Sequence, residues 1–217
     1  MYFQAVIFDL DGTLLDTLKD IANSANSMLT GYGFPAHAAD SYRYFVGDGI
    51  NTLVSRVLPA EKRNDDTIAE CVKVFRENYS RGWKVNTKIY DGIPELLDAL
   101  TAKQVKMAIL SNKLDDFTKL CVHELLPNWS FEMILGQRDG IPLKPDPRGA
   151  HEIAENLGIS PERFLYLGDT GIDMETAVKA KMFPVGALWG FRPPDELRKY
   201  GAKALIERPM ELLTLEP

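Results

Sequence analysis

Beyond residue 84, short apolar runs alternate with amphipathic segments, and this alternation limits the fold more than any other feature of the chain. The apolar runs have the length of buried strands; an early one covers residues 4–8, and the later ones are VKMAIL, FEMIL, FLYLG, FPVGALW and KALIE. Strands that alternate with helices pair in parallel and are covered on both faces. The sequence therefore predicts a Rossmann-like, doubly wound α/β domain with a parallel sheet.

The stretch from residue 16 to residue 84 interrupts this alternation, because its apolar residues recur with a helical period. Two stripes carry the pattern, one of Leu18, Ile21, Ala25, Met28 and Leu29, the other of Ile68, Val72, Phe75 and Tyr79. No strand is predicted there. We therefore predict an all-α helical bundle inserted at 16–84, a core domain made of 1–15 and 85–217, and hinges at 14–17 and 83–90.

Composition narrows the partners that the chain can have. The 217 residues carry a formal charge of −6, which leaves no basic face for nucleic acid or an anionic membrane. No apolar run approaches the roughly 20 residues of a membrane span, and the first residues lack the features of a signal peptide. We expect a cytoplasmic monomer or homodimer that acts on a small molecule. Cys71 and Cys121 stand far apart, and we expect both to be reduced and without a chemical role.

Polar side chains follow the predicted strands, and the carboxyl ends of parallel strands form the binding edge of an open sheet. These residues are Asp9, Asp11, Ser111, Asn112, Lys113, Lys144, Asp169 and Asp173. Carboxylates without histidine or cysteine neighbours select a hard cation such as Mg²⁺. A lysine, a hydroxyl and the N–H groups at helix starts can hold a phosphoryl dianion. The combination predicts phosphoryl transfer.

Each motif also has a simpler interpretation when it is taken alone. The segment DLDG could form a hairpin turn, and Ser111 with Asn112 could cap a helix. Lys144 could be a solvated loop lysine, while Asp169 and Asp173 could be a turn residue and a helix-start charge. These interpretations require acids, a hydroxyl and a lysine to meet at the same end of successive strands by accident, which disfavours them jointly.

The segments DLDGT, LSN, LKPDP and GDTGID, in this order, resemble the four motifs of the haloacid dehalogenase-like superfamily of phosphohydrolases. Residues 16–84 lie where that family inserts its small cap domain. Within the superfamily, FVGDGINTLVSRVLP and SNK are similar to the phosphoglycolate phosphatase group. Leu114 departs from that group, in which proline usually follows the Asn-Lys pair.

The resemblance implies Mg²⁺-dependent hydrolysis of a small phosphorylated metabolite, a phosphate monoester such as phosphoglycolate, through an aspartyl-phosphate. Asp9 would be the nucleophile, and Asp11 the general acid and base. The implied phosphate-binding residues are Ser111, Asn112 and Lys144. The implied Mg²⁺ ligands are Asp9, the backbone carbonyl of Asp11, Asp169 and, through water, Asp173.

Two expectations concern the reaction and its selectivity. Asp11 is expected to hold the proton that the leaving alkoxide needs, because other carboxylates crowd it. The loop with Gly47, Asp48 and Gly49 is expected to contact the substrate, since its glycines let the backbone approach closely and offer N–H donors. Alternatively, these glycines only separate one helix from the next.

Two other functions remain possible from the sequence. A β-phosphoglucomutase-like phosphotransferase is one, although Ile50 stands where the mutase-like relatives tend to carry arginine. A receiver-like phospho-acceptor module of signalling proteins is the other, because it also combines acids, a hydroxyl and a lysine on a parallel sheet. The helical insertion and the acid pair after the first strand disfavour the receiver, and catalytic phosphate release would distinguish it from an enzyme.

Overall fold

The computed structural model describes residues 3–215, which form two compact units. The first unit comprises the residues up to Leu15 and those from Ile89 onward; the second is Asp16–Lys88. The strands are β1 (Ala5–Phe8), β2 (Leu15–Asp16), β3 (Lys88–Ile89), β4 (Lys106–Leu114), β5 (Met133–Gln137), β6 (Phe164–Gly168), β7 (Phe183–Ala187) and β8 (Ala204–Ile206).

The helices divide between the two units. Those of the second unit are α1 (Leu18–Gly31), α2 (Tyr42–Phe45), α3 (Ile50–Val57) and α4 (Asp65–Gly82), with 3-10 turns at Ala39–Ser41 and Ala60–Lys62. Those of the first unit are α5 (Ile93–Ala102), α6 (Asp115–Leu125), α7 (Arg148–Leu157), α8 (Gly171–Lys179) and α9 (Pro194–Lys199), with 3-10 turns at Pro161–Arg163 and Pro209–Thr214.

The first unit is built on a six-stranded sheet with the strand order β5-β4-β1-β6-β7-β8. Every pairing in it is parallel, which confirms the predicted fold class. The chain places β4 and β5 on one side of β1 and then crosses to β6 on the other side. Ligands bind in the crevice where an open sheet changes direction in this way, so the end of β1 is the expected position of a site.

The central strands are apolar because both faces of the sheet are covered. All residues of β1 and β6 are buried, and one face packs Ile7, Ala108 and Tyr166 into a cluster with Ile153 of α7 and Ala177 of α8. A polar side chain in such a strand therefore has no route to solvent, and polar residues that follow the strands are the first able to form a site.

The bounds of β4 and α8 differ from the sequence prediction, and α9 and the two-residue strands β2 and β3 were not predicted. β4 continues through Ser111 to Leu114 after a register shift, whereas the apolar run predicted an end at Leu110. α8 begins at Gly171, two residues before the predicted start, because Thr170 and Asp173 form a capping box: each side chain accepts a hydrogen bond from the other's backbone N–H.

The second unit is all-helical apart from the strand residues at its ends. The stripe on α1 is buried as predicted, but α4 buries Cys71, Phe75 and Tyr79, while Ile68 and Val72 are only half-buried. The stripe predicted for α4 was therefore partly wrong. Positions 71, 75 and 79 are four residues apart and share one helix face, which cysteine can occupy as a small apolar residue.

The Asp20 carboxylate joins α1 to the chain segment before β3 through hydrogen bonds. Its Oδ2 atom accepts the backbone N–H groups of Asn86 and Thr87, both at 2.8 Å. Burial opposes the charge of Asp20, yet hydrogen bonds from the Asn86 amide, from these N–H groups and from the Thr87 hydroxyl outweigh it and lower the pKa of the carboxyl group. A buried carboxylate here stabilises the end of the helical unit.

Both cysteines are free thiols, as predicted, and both are buried. Burial raises the pKa of the Cys121 thiol to about 11, so this thiol is unreactive at neutral pH. Within residues 3–215, no helix combines the length and the apolar character that crossing a membrane requires.

Candidate active site

The loops after β1 and β6 bring three acids together at the carboxyl edge of the sheet. Asp9 directly follows β1, Asp169 directly follows β6, and Asp173 lies in the first turn of α8. One carboxylate oxygen of each residue lies within 4.8 Å of those of the other two. Asp9 is 7% exposed, and Asp169 and Asp173 are fully buried. The topology thus gathers three of the predicted residues in one place.

Lys144 places an ammonium group in this acidic cluster. Its Nζ atom lies 2.9 Å from Asp9 Oδ1 and 2.7 Å from Asp173 Oδ1, and it donates a 3.0 Å hydrogen bond to the carbonyl of Leu110. The side chain is 4% exposed, which excludes the alternative of a solvated loop lysine. The ammonium therefore holds two carboxylates that would otherwise repel each other.

Residues that follow β1 and residues that follow β7 hold Asp169 in position. Thr13 donates its hydroxyl hydrogen to Asp169 Oδ1 at 2.9 Å, and the backbone N–H of Phe191 donates to Oδ2 at 2.8 Å. Gly12 has φ +87°, and a Cβ atom at either Gly12 or Gly190 would overlap the Asp169 side chain. Glycine at both positions leaves room for this carboxylate.

Burial and mutual repulsion shift the pKa values of the acids upward. Burial, with a further contribution from Asp173, raises the pKa of Asp9 from 3.8 to about 7, although Lys144 acts in the opposite direction. Burial and the charges of Asp9 and Asp173 raise the pKa of Asp169 well above its ordinary value. For Lys144, burial disfavours the charged form, but the two neighbouring carboxylates outweigh it and raise the pKa.

The cluster fits a divalent cation. Carboxylate oxygens are the ligands that Mg²⁺ prefers, and a cation would offset the repulsion that raises the pKa of Asp9 and Asp169. Asp173 already accepts hydrogen bonds on both oxygens, from Lys144 on Oδ1 and from the hydroxyl and N–H of Thr170 on Oδ2. Asp169 likewise accepts a hydrogen bond on each oxygen, so these bonds do not distinguish Asp169 from Asp173 as a direct ligand.

The Asp11 side chain has a different environment from the one expected. Lys113 Nζ lies 3.0 Å from Asp11 Oδ1 and 3.1 Å from Oδ2. This ion pair is largely buried, since the two side chains are 8% and 12% exposed. Asp11 is thus paired with an ammonium that the sequence did not predict, and it also repels the Asp9 carboxylate, in line with the expected proximity of other acids.

Ser111 and Asn112 lie at the end of β4, and both are buried. The Asn112 amide makes a reciprocal pair with the backbone of Lys144: Nδ2 donates to the carbonyl at 3.0 Å, and Oδ1 accepts the N–H at 2.8 Å. The hydroxyl oxygen of Ser111 accepts the N–H of Lys113 at 3.2 Å. Neither side chain caps a helix, and that of Asn112 braces the loop that carries the lysine.

Gly47, Asp48 and Gly49 belong to the helical unit, between α2 and α3. Both glycines have positive φ, +122° for Gly47 and +83° for Gly49, so side chains there would strain the backbone. The Asp48 carboxylate lies 2.5 Å from an Arg56 guanidinium nitrogen, which also donates to the carbonyl of Phe45 at 3.1 Å. Arg56 therefore ties this loop to the end of α2.

The sequence analysis did not identify three residues that support the site, Thr13, Thr170 and Phe191. It also did not predict that Lys113 pairs with Asp11. Thr13 and Thr170 stand next to predicted motif residues, and a small hydroxyl beside a buried acid could have been taken as a signal. Phe191 acts through its backbone N–H, for which the residue type gives no signal.

Sequence comparison shows which proteins this chain resembles. The family model for haloacid dehalogenase-like hydrolases matches residues 6–187. A phosphoglycolate phosphatase of Aquifex aeolicus is 34% identical over 212 residues, which cover 98% of this chain and 96% of the relative.

Solved structures share the fold over almost the whole chain. A candidate phosphoglycolate phosphatase from Lactobacillus delbrueckii subsp. bulgaricus superposes with a TM-score of 0.91 at 29% identity, covering 98% of this chain and 97% of that one. A β-phosphoglucomutase from Clostridium difficile, at 19% identity and a TM-score of 0.75 over 97% of this chain and 93% of that one, shares the fold alone. With α1–α4 inserted between β1 and β4 as its cap domain, the chain belongs to the haloacid dehalogenase-like hydrolases.

Proposed function

We propose that this protein is an Mg²⁺-dependent phosphatase that hydrolyses small phosphate monoesters, with phosphoglycolate as the leading substrate. The observation that carries the proposal is the buried cluster of Asp9, Asp169 and Asp173 around Lys144 at the end of the central strand. The phosphoglycolate phosphatase of Aquifex aeolicus, 34% identical over 98% of this chain, supports the substrate.

Asp9 is the proposed nucleophile. It sits at the end of β1, and its Oδ1 atom accepts the backbone N–H of Leu10 at 2.7 Å and contacts Lys144, which fixes the carboxylate. In-line attack of a carboxylate oxygen on phosphorus forms an aspartyl-phosphate and expels the alkoxide. Lys144 reduces the repulsion between the carboxylate and the phosphoryl oxygens, because its ammonium lies against the nucleophile.

Asp11 is the proposed general acid and base. Two residues beyond the nucleophile, it would give a proton to the leaving oxygen and then take one from the water that hydrolyses the aspartyl-phosphate. Lys113 holds its carboxylate through contacts to both oxygens. The N–H groups and hydroxyl at the end of β4, from Ser111 and Asn112, complete the phosphate site in this proposal.

Asp9 and Asp169, together with the backbone carbonyl of Asp11, would hold Mg²⁺, and Asp173 would contact it through water. When bound, the cation supplies positive charge that polarises the phosphoryl group and offsets the charge of the nucleophile. Asp173 has a second task, since it keeps Lys144 charged and in place. A substrate contact by Gly47, Asp48 and Gly49 remains part of the proposal, with backbone N–H groups as the donors because Arg56 engages the Asp48 carboxylate.

A phosphate-release screen tests the proposal. Purified protein is incubated with Mg²⁺ and a panel of esters that includes phosphoglycolate, sugar phosphates, nucleotides, pyrophosphate and p-nitrophenyl phosphate. We expect many turnovers on small esters, loss of activity with excess chelator, and phosphoglycolate among the best substrates. Retention of one phosphate per chain without turnover would indicate a phospho-acceptor instead. Turnover that is greatest on a large substrate would contradict the substrate class.

A further inference from the structure

We propose that Lys113 binds an anionic group on the leaving side of the substrate, and thereby selects phosphate esters of short hydroxy acids over esters of neutral alcohols. This inference rests on the proposed phosphatase function and deepens it. It assigns the specificity for a charged leaving group to a residue of the first unit, on β4, the strand that also carries Ser111 and Asn112.

The first support is the position of the ammonium group. Lys113 Nζ lies 3.0 Å and 3.1 Å from the two carboxylate oxygens of Asp11, the proposed donor of the proton to the leaving oxygen. A group within hydrogen-bond reach of that acid is also near the substituents of the leaving carbon. In a 2-phospho hydroxy acid the carboxylate is attached directly to this carbon, so it enters the same space.

The second support is that the structure fixes the backbone of Lys113 on both sides. Its N–H donates to the Ser111 hydroxyl oxygen at 3.2 Å, and its carbonyl accepts the Thr118 hydroxyl at 3.1 Å. Gly136 of the neighbouring strand lies so close that a Cβ there would be 2.7 Å from the Lys113 carbonyl oxygen. The ammonium is therefore presented from a rigid element, which reduces the entropy cost of binding an anion.

The third support is the division of work between the two lysines. Lys144 contacts Asp9 and Asp173 and lies on the side of the nucleophile and the phosphoryl group. Lys113 contacts Asp11 and lies on the side of the leaving group. Because the Lys113 ammonium is only 8% exposed, water would screen its attraction for an anionic leaving group only weakly.

The competing explanation is that Lys113 only orients Asp11. A residue with that role would affect every ester whose leaving group needs a proton, whether the leaving group is charged or neutral. A residue that binds an anion would affect the charged ester selectively, mainly through KM. Two substrates of equal length separate these roles: 2-phosphoglycolate, and 2-hydroxyethyl phosphate, in which a neutral hydroxymethyl group replaces the carboxylate.

The test compares wild type, Lys113→Met, Lys113→Arg and the control Lys119→Met on both esters with Mg²⁺. Lys119 is a lysine of α6 with a side chain 58% exposed, paired with Asp115. We expect Lys113→Met to lower kcat/KM about 30-fold or more on phosphoglycolate, as for loss of one partner of a buried charge pair, and only about threefold on the neutral ester. Lys113→Arg should retain most of the wild-type preference for phosphoglycolate over 2-hydroxyethyl phosphate, and Lys119→Met should match wild type on both esters.

Equal losses on the two esters would overturn the proposal, as would a wild type that does not prefer the charged ester. Thermal unfolding of each variant verifies folding, and Lys113→Gln is the second variant if Met misfolds. If wild type released phosphate from no ester, the phosphatase proposal would fail. Calorimetric titration of phosphoglycolate into wild type and Lys113→Met would still decide the role of Lys113, since undiminished binding by the variant contradicts it.

Discussion

The acidic cluster after β1 and β6 and the loop between α2 and α3 are built in opposite ways. In the cluster, each carboxylate is buried and held by several partners, and Lys144 alone contacts two of them. In the loop, Asp48 and Arg56 are about one-third exposed; their ion pair joins the loop to α3, and Arg56 also donates to the carbonyl of Phe45 in α2. Loss of the Lys144 charge should therefore be costly in the cluster, whereas the Asp48–Arg56 pair of the loop can vary at small cost.

We therefore expect substitutions in the cluster to affect the chemical step and substitutions in the loop to affect substrate selectivity. In a buried site, a substitution that removes a catalytic group lowers turnover, and one that removes a compensating charge lowers stability as well. An exposed ion pair contributes little to stability, so substitutions there can change which substrate is used without unfolding the protein. Four experiments can break or sharpen this contrast.

The largest effect is expected for Asp9→Asn. The amide has the same shape but cannot attack phosphorus, so kcat should fall by at least about 10³-fold on every ester. The melting temperature of the metal-free variant should not fall, because the substitution removes a charge that Asp173 repels. Asp66→Asn, an exposed change on α4, is the control and should match wild type. Retention of more than a few per cent of kcat would contradict the assignment.

Lys144→Met is expected to affect both stability and activity. It leaves Asp9 and Asp173 without their shared ammonium, and breaking such a buried pair costs about 3–5 kcal/mol of unfolding free energy. Urea unfolding without metal measures this, with Lys179→Met, a change in an exposed pair on α8, as the control. Unchanged stability would show that the cluster does not depend on Lys144.

Arg56→Met tests the loop. If the loop contacts the substrate, losing the tie to Asp48 and Phe45 should lower kcat/KM on phosphoglycolate by about tenfold and leave p-nitrophenyl phosphate nearly unchanged. Arg56→Lys should retain part of the wild-type kcat/KM on phosphoglycolate. Arg81→Met, a substitution at an exposed arginine, is the control. Substitution of Gly49 is less suitable, because its φ of +83° makes a side chain strained. Equal losses on the two esters would assign the loop a structural role only.

The smallest effect is a pH dependence of the metal-free protein. The pKa of Asp9 is about 7 in the folded state and 3.8 for an ordinary aspartate. Between these values the folded state keeps a proton that the unfolded state has released, so the contribution of Asp9 to stability should fall as the pH rises from about 4 to about 7. Asp169 acts in the same direction.

Thermal melts with chelator across pH 5–8 measure this slope. Asp9→Asn should flatten it, and added Mg²⁺ should stabilise wild type more at pH 8 than at pH 6, because the cation displaces fewer protons there. The melts should not extend far below pH 5, because Asp20, whose pKa is lowered, loses its stabilising charge as the pH falls. Stability that rises toward neutral pH would contradict the raised pKa values.

The sequence predicted the parts of the molecule that follow from periodicity and parallel topology. Asp9, Asp169 and Lys144 were expected at one edge because parallel strands end together, and they lie there. The pairing of Lys113 with Asp11 was not predictable, because it depends on a register shift that extends β4 through a polar stretch. The tie from Arg56 to Asp48 depends on how the helices after the loop pack, which periodicity does not specify.

Covalent capture of phosphate on Asp9 tests the proposed chemistry most directly. Wild type and Asp9→Asn are mixed with phosphoglycolate labelled with ³²P, quenched in acid within milliseconds, and digested for mapping of the label. We predict transient label on the peptide that contains Asp9 in wild type, decaying as phosphate appears, and no label there in the variant. Phosphate release by wild type with no labelled protein at any time, or with label on another residue, would contradict nucleophilic attack by Asp9.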